Sequence, residues 1–365
     1  MTEPTVSNGS IEELRKVIDA TDAELFGLLE KRAKLARSIG KLKAAGAVYK
    51  PEREREIFER TVARAKTEGT LMSEEAIRSI VREIISACRA VEAMPRVAFL
   101  GPRGTFTEEA VIRQFGSSIK ALPCGSLDEV FHEAASGTAD FAVVPVENST
   151  EGIVTRTADL LLTTPLKVIG EVNVAVHHNL MNRSGKREDI VEVHAHPQAL
   201  AQCRLWLMTH LPQAKLVPSS SNAQAAKEAT ADPKVAALAA ERAAALYELH
   251  IAAHAVEDDP RNCTRFLVLG KESCGKAQNV LHKTSLIFSV PNRPGSLLDA
   301  LAPFAKYKVS MVRLESRPAR NGAWDYNFYV DVDGHIEEEP ISKAVEELGQ
   351  IALYLKILGS YTAAY

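Results

Sequence analysis

The run Glu147-Asn148-Ser149-Thr150 sets a carboxylate, an amide and two hydroxyls side by side, directly after the apolar segment Phe141-Ala142-Val143-Val144-Pro145-Val146. A short apolar segment of this kind reads as a buried strand. Gly152 then frees the backbone, and a helical pattern covers Ile153–Leu162. Ligands of open α/β folds sit at the carboxyl ends of strands and near helix N-termini, so these polar groups are an expected wall of an active site. The plainer alternative is a strand-to-helix turn in which Asn and Ser act as caps.

Two further sets are spaced for anions. Arg32 and Lys43 stand eleven residues apart in a helical pattern. At 100° per residue they fall within ~20° of each other around the axis and ~16 Å apart along it, a span that two long side chains can narrow on a small dianion. Arg15 lies ~100° from Arg32 around that axis and ~25 Å along it, so a place in the same kind of pocket requires a second chain. Singly, each cation reads as a solvated helix side chain; the set carries the argument. The segment Gly101-Pro102-Arg103-Gly104-Thr105-Phe106-Thr107 follows an expected strand, Arg96–Leu100, and Thr107 is expected to cap the next helix. Glycines before a helix N-terminus make an anion seat, although this run lacks the P-loop and dinucleotide patterns. His177, His178, His194 and His196 invite a metal reading, but their spacing lacks H-E-x-x-H and carboxylates nearby are few, so no metal and no cofactor is expected.

The elements that must carry these residues fall into three blocks. The 365 residues, 46% hydrophobic and 25% charged, suit two or three globular domains. A net charge of -3 and a pI near 6.4 give no case for nucleic acid or membrane binding. No apolar run approaches a membrane span, and Met1–Ser10 is no signal peptide. Five cysteines without a C-x-x-C pair point to reduced thiols and a cytoplasmic location. Residues 1–95 read as three helices: Ser10 to about Ala45, with Ser10 and Glu13 as a capping box, then Pro51–Glu68 and Ser73–Ala93. The first is too long to bury its stripe alone, which suggests an intertwined homodimer. Residues 96–272 alternate strands and helices in two successive units, hence two α/β lobes around a cleft. After a linker, residues 283–361 read βαββαβ, the ferredoxin-like order.

The segments Leu14-Arg15-Lys16-Val17-Ile18-Asp19, Leu29-Glu30-Lys31-Arg32, Lys41-Leu42-Lys43 and Arg53-Glu54-Arg55-Glu56 resemble the all-helical chorismate mutase family over residues 10–93. The resemblance implies that Arg15 from a partner chain, Arg32 and Arg53 handle the carboxylates. It also implies that Lys43 serves a carboxylate and the ether oxygen, and that Glu54 meets the ring hydroxyl. Cys88 stands where Ser is frequent, Lys50 where Asp is frequent and Glu92 where Gln is frequent. Lys50 is expected to offer only its backbone, because an ammonium accepts no hydroxyl hydrogen. A Claisen rearrangement needs a folded conformer held by cations and donors at the ether oxygen, where charge develops. Glu92 donates only when protonated, so mutase activity is expected to fall as pH rises and Glu92→Gln to flatten the profile.

Gly101-Pro102-x-Gly104-Thr105-Phe106-Thr107, Val144-Pro145-Val146-Glu147-Asn148-Ser149, His196-Pro197-Gln198 and Thr264-Arg265-Phe266 resemble, in that order, the prephenate dehydratase family, whose fold is like that of periplasmic solute-binding proteins. The resemblance makes Thr264 essential. Prephenate must lose its ring carboxylate as CO2 while the para hydroxyl leaves as water, so a donor must reach that hydroxyl. Thr264 is expected to make the contact across a crevice shared with the Glu147 strand, with Glu147 as a candidate ultimate acid. Thr105, Asn148, Ser149, Gln198 and Ser221 are expected to position the substrate. Arg265 would pair with a carboxylate or hold Glu147.

Pro294-Gly295-Ser296-Leu297-Leu298 and Glu315-Ser316-Arg317-Pro318 resemble the phenylalanine-binding kind of ACT domain. Backbone amides at Gly295, Ser296 and Leu297 would hold an amino-acid carboxylate, with Ser316 in the second signature and Glu315 meeting the ammonium or nearby backbone. The fold expected is therefore multidomain: an all-α three-helix mutase domain, a two-lobed α/β periplasmic-binding-protein-like dehydratase domain and an α+β ferredoxin-like ACT domain. The ligands implied are chorismate, prephenate and phenylalanine. Two alternatives are a monofunctional dehydratase whose helices only dimerise, and a non-enzymatic amino-acid sensor, in which a Thr264 motif would be out of place.

Overall fold

The computed structural model describes residues 10–42, 49–319 and 326–364. The N-terminal unit consists of α1 (Ile11–Leu42), α2 (Pro51–Glu68) and α3 (Glu74–Glu92). The capping box forms: Ser10 N donates to Glu13 Oε2 at 2.9 Å, and Glu13 N donates to Ser10 Oγ at 3.3 Å. No described residue of α1 is buried. Only a stripe at Leu29, Arg32, Ala33, Ala36 and Gly40 is even half-covered, where α1 crosses α3. Leu14, Val17, Ile18, Leu25 and Leu28 are exposed.

The first lobe runs β1 (Arg96–Leu100), α4 (Phe106–Phe115), β2 (Lys120–Cys124), α5 (Leu127–Ser136), β3 (Phe141–Asn148), β4 (Gly152–Ile153), α6 (Thr155–Thr163) and β5 (Lys167–Ala175). The second holds β6 (Asn179–Asn182), β7 (Glu192–Ala195), α7 (Pro197–Gln202), α8 (Arg204–His210), β8 (Lys215–Pro218), α9 (Asn222–Ala229), β9 (Val235–Ala239), α10 (Glu241–Tyr247) and β10 (His250–Ala253). The chain then returns to the first lobe as β11 (Cys263–Gly270), between β3 and β5 in the order β2-β1-β3-β11-β5. The second lobe has the order β10-β6-β9-β7-β8. Several strands went unread in the sequence because they are only four or five residues long. His177 and His178 lead into β6, whose four residues are all buried. Cys203 (φ -110°, ψ 13°) separates α7 from α8.

The C-terminal domain comprises β12 (His282–Ser289), α11 (Ser296–Lys306), β13 (Met311–Pro318), β14 (Tyr326–Asp333), α12 (Glu339–Ile351) and β15 (Tyr354–Thr362), in the order β13-β14-β12-β15. Its two sheet faces do different work. Leu286, Phe288, Val330 and Val332 face α11 and α12. Ile287, Tyr329, Leu358 and Tyr361 join the first lobe's core with Ala98, Phe131, Leu161, Leu267 and Leu269. The other face of the first lobe's sheet packs Phe99, Phe266 and Val268 against Val111 and Phe115 of α4 and against Tyr49. The β11 strand thus has one side toward α4 and the other toward the C-terminal domain. At Gly359 the approach is so close that an added Cβ would lie 2.1 Å from the Val168 carbonyl oxygen.

Candidate active site

A cleft of about 220 Å³ opens between the lobes, lined by Thr105, Asn148, His178, Gln198, Ser221 and Thr264, with Phe106, Gln202, Asn262 and Ala240 also on its wall. Four helices begin at this cleft: α4, α7, α9 and α10. Thr105, not Thr107, caps α4, accepting from Glu108 N at 3.3 Å; Thr107 is already inside the helix and buried. Ser221 caps α9, accepting from Gln224 N at 3.0 Å, and His196 caps α7. Helix N-termini present unpaired N–H groups to anions. Among the described residues, none that lines the cleft is a lysine or arginine. The lobes are tied beside it by buried Glu108, which accepts from Gly104 N at 2.7 Å and Arg103 Nε at 2.9 Å and pairs with Arg242 of the second lobe at 3.3 Å. Burial works against the Glu108 charge, but Gly104 and the two arginines hold its carboxyl below the ordinary value.

Thr264 and Asn148 are partners on adjacent strands, not opposite walls of a crevice as expected. Asn148 Nδ2 donates to Thr264 Oγ1 and to Asn262 Oδ1, each at 2.9 Å. Asn148 Oδ1 accepts from Thr150 N and Glu151 N, which fixes the amide's orientation. Next to this pair the register slips: Arg265 opposes Glu147 while Phe266 opposes Pro145, leaving Val146 as the extra residue of a bulge. Bulges re-aim side chains beside active sites.

Three expected site residues lie elsewhere. Side chains alternate along a strand, so the neighbours of Asn148 and Thr264 point to the reverse of the sheet. There Glu147 pairs with Arg313 of β13 at 2.9 Å, and Arg265 pairs with Glu171 at 2.7 Å and Asp331 at 2.6 Å. The Arg265–Glu147 distance is 4.0 Å, a peripheral contact. Neither lines the cleft, so neither can serve as ultimate acid or as clamp on a substrate carboxylate there. Ser149 is exposed and accepts from Cys263 N at 2.9 Å, bracing the turn that carries Asn262. The sequence reading missed Asn262, Gln202 and the cleft role of His178. All three leave buried nitrogens without partners, at Asn262 Nδ2, Gln202 Nε2 and His178 Nδ1. Asn262 had a signal, since its i, i+2 spacing to Thr264 puts both on one strand face. Of the histidines, His194 is bonded to Glu228 at 2.8 Å and Glu192 at 3.1 Å.

The helical unit brings together a different group. Arg32 Nη1 donates to Ile84 O at 3.4 Å, placing it on α3 beside buried Cys88. Glu54 is tied to buried Arg89, which the sequence reading passed over. Burial pushes the Glu54 carboxyl up, while Arg89 and Arg32 pull it down. Glu92 packs on Gly40, where an added Cβ would lie 2.4 Å from Glu92 Cγ. Arg53 pairs with Glu56 at 3.2 Å on the surface, and Lys50 is exposed at the N-cap of α2. Arg15 lies exposed about 25 Å along α1 from Arg32. Lys43 lies outside the described residues. The unit docks on the dehydratase-like lobe through Glu83, Ser86 and Arg89, which meet Ser117 N, Ser118 N and Phe115 O.

In the C-terminal domain Gly295 caps α11 in the left-handed region (φ 84°), and Ser296 Oγ is buried without a partner. Glu315 opposes Tyr329 on β14, the face turned to the first lobe, whereas Ser316 opposes Phe328 on the helix side. Within one chain, therefore, Glu315 does not face a ligand seated at Gly295–Leu297.

A helical unit, a two-lobed α/β cleft lined by polar side chains and helix N-termini, and a ferredoxin-like domain define a multidomain protein with a small-ligand cleft. Family profiles match in the same order: chorismate mutase type II over residues 14–93, prephenate dehydratase over 97–274 and the ACT domain over 284–350. The chain is 43% identical to the bifunctional chorismate mutase/prephenate dehydratase of Neisseria gonorrhoeae, covering 97% of this chain and 99% of that one. It is 42% identical to the protein of that description from Aquifex aeolicus, over 97% and 98%. The structure of a prephenate dehydratase from Arthrobacter aurescens in complex with L-Phe superposes with a TM-score of 0.68 at 36% identity, over 73% of this chain and 89% of that one. The chain belongs to the bifunctional chorismate mutase/prephenate dehydratase family.

Proposed function

We propose that this chain rearranges chorismate to prephenate in its helical unit and converts prephenate to phenylpyruvate in its cleft, with phenylalanine as feedback inhibitor through the ACT domain. The observation that carries the dehydratase reading is the 2.9 Å hydrogen bond from Asn148 Nδ2 to Thr264 Oγ1. With its oxygen already accepting, Thr264 has its own hydrogen free to donate to the departing ring hydroxyl. Helix N-termini and the unpartnered amides of Asn262 and Gln202 bind the anionic substrate. A wall without cations leaves the departing ring carboxylate poorly stabilised, which favours its loss as neutral CO2. Thr264 lends a hydrogen bond rather than a net proton; the hydroxide that leaves is neutralised by solvent.

In the mutase unit Arg32, Lys43 and Arg53 bind carboxylates, Lys43 and Glu92 meet the ether oxygen, and Glu54 accepts from the ring hydroxyl with the lone pairs Arg89 leaves open. Lys50 and Cys88 border the substrate. Arg15 comes from a partner, and the uncovered apolar stripe of α1 is the support for a homodimer. Phenylalanine sits between two ACT domains, its carboxylate at Gly295, Ser296 and Leu297 of one copy and its ammonium against the strand of the other copy that carries Glu315 and Ser316. No helix among the described residues is long and apolar enough to cross a membrane. All five cysteines are free thiols, which fits a cytoplasmic enzyme. The test supplies chorismate to the full chain and follows prephenate and phenylpyruvate by ultraviolet absorbance, with and without phenylalanine. Both products and a loss of phenylpyruvate on adding phenylalanine are expected; failure to consume chorismate or to release phenylpyruvate removes the corresponding half of the assignment.

A further inference from the structure

We infer that Asp331, in the C-terminal domain, is a positioning residue for the dehydratase reaction, acting through Arg265 on Thr264; this rests on the reading of Thr264 as the donor in the cleft. Thr264 and Arg265 are consecutive on β11 and face opposite ways. Behind the strand the Arg265 guanidinium is held on three sides: Nε to Glu171 at 2.7 Å, Nη1 to Asp331 at 2.6 Å and Nη2 to the Tyr361 hydroxyl at 2.9 Å. Two of these three partners, Asp331 and Tyr361, come from the C-terminal sheet, and only Glu171 belongs to the lobe itself.

Each partner is fixed in turn. Asp331 also accepts from Ser285, whose hydroxyl lies 2.7 Å from that of Tyr361. Glu171 accepts from Lys283 Nζ at 2.7 Å and from Ala364 N at 2.9 Å, again groups of the C-terminal domain. Asp331 is 3% exposed, Glu171 5% and Tyr361 0%. A planar guanidinium bonded on three edges cannot rotate or slide without breaking a buried charge-assisted bond. The backbone of Arg265 is therefore pinned one residue from Thr264; β5 pairs regularly with both residues, while on the β3 side the register slips at the Val146 bulge immediately after Arg265. Replacing a buried ion pair by apolar residues is often neutral for stability, so the role assigned to this one is the geometry it imposes. The C-terminal sheet is thus the back of the dehydratase active site, and a change in its placement reaches Thr264 directly.

The experiment measures dehydratase kcat and KM, together with mutase turnover, in the full chain carrying Asp331→Asn, Thr264→Val or both. Asp331→Asn is expected to lower dehydratase kcat by roughly tenfold to a hundredfold, the cost of a small misplacement, with KM and mutase turnover within about threefold. In the Thr264→Val background, where no hydroxyl remains to position, Asp331→Asn is expected to have no further effect on the residual rate. An unchanged kcat in Asp331→Asn, or an equal fall in both backgrounds, overturns the inference while leaving Thr264 in place. A Thr264→Val enzyme with full turnover overturns the reading of Thr264 and the inference with it. If mutase turnover and the thermal transition show that Asp331→Asn does not fold, Arg265→Lys, which keeps the charge and loses the fork, is judged by the same two comparisons.

Discussion

The α1 rod and the β3–β11 ribbon solve opposite problems. The rod is local in sequence, regular and capped, yet none of its described residues is buried, and Arg15 stands far from Arg32. The ribbon is assembled from segments 116 residues apart in the chain, and Asn148 and Thr264 meet there at hydrogen-bonding distance inside one protomer. Secondary structure alone therefore does not complete a site. A helix whose stripe is open is where we propose a second chain, whereas a strand pair held between two layers orders its side chains within one chain. The largest test of this contrast is Thr264→Ala. Loss of the donor should cut dehydratase turnover by about 10²- to 10⁴-fold and leave mutase turnover intact. Equal loss of both activities would mean that the two regions are not separable.

A second test addresses the rod. Arg15→Ala and Arg32→Ala should each lower mutase activity by about 10²- to 10³-fold, as for loss of one electrostatic contact. Mixing the two variants after exchange of subunits should restore up to roughly a quarter of wild-type activity, because half of randomly assorted dimers are hybrids with one intact site of two. No recovery on mixing, with a dimer verified by sedimentation, would place both arginines in one chain's pocket and erase the contrast.

A smaller effect is expected at Asn262. It touches both Asn148 and the cleft, so Asn262→Ala should lower dehydratase kcat by about tenfold, the value of one hydrogen bond in an aligned network. A change in KM alone would recast it as a binding residue.

The same contrast explains what was legible in the sequence. Helical periodicity and the Ser10–Glu13 box gave α1 directly, since those signals are local. Of the cleft residues, Thr105, Asn148, Gln198 and Thr264 stand in the motifs and Ser221 outside them, and the structure gathers all five around one cleft. Glu147, Ser149 and Arg265 were misplaced because adjacency within a motif was taken for adjacency in space, whereas a strand turns alternate residues to opposite faces. Thr107 was read as a cap because a capping residue is hard to place within ±1–2 positions when two threonines lie two apart. His178 was hidden by the short β6, whose four buried residues carry no periodicity long enough to read.

His178 gives the smallest effect and the sharpest test of burial in the ribbon's neighbourhood. Burial holds its pKa below the ordinary histidine value, against the opposing pull of its Gln202 bond and of Glu257. Nε2 lies 2.9 Å from Gln202 Oε1, so the neutral ring donates there and leaves the Nδ1 lone pair buried without a partner. The linkage sign follows from the depressed value. Below a pH of about 6.5 the unfolded chain takes up a proton that the folded one resists, so the native state loses stability as pH falls from there toward the lower folded value. The slope from this one group cannot exceed about 1.4 kcal/mol per pH unit. His178→Gln, which does not titrate, should unfold with a smaller loss between pH 7.5 and pH 5.5 than the wild-type chain, measured by denaturant melts that follow the dehydratase lobe. The comparison with wild type cancels the carboxylates and His194, whose pKa is raised by Glu228 and Glu192 despite its burial. Parallel pH profiles for the two proteins would show that the ring is charged in the folded state and that the cleft beside Thr264 is wetter than its lining implies.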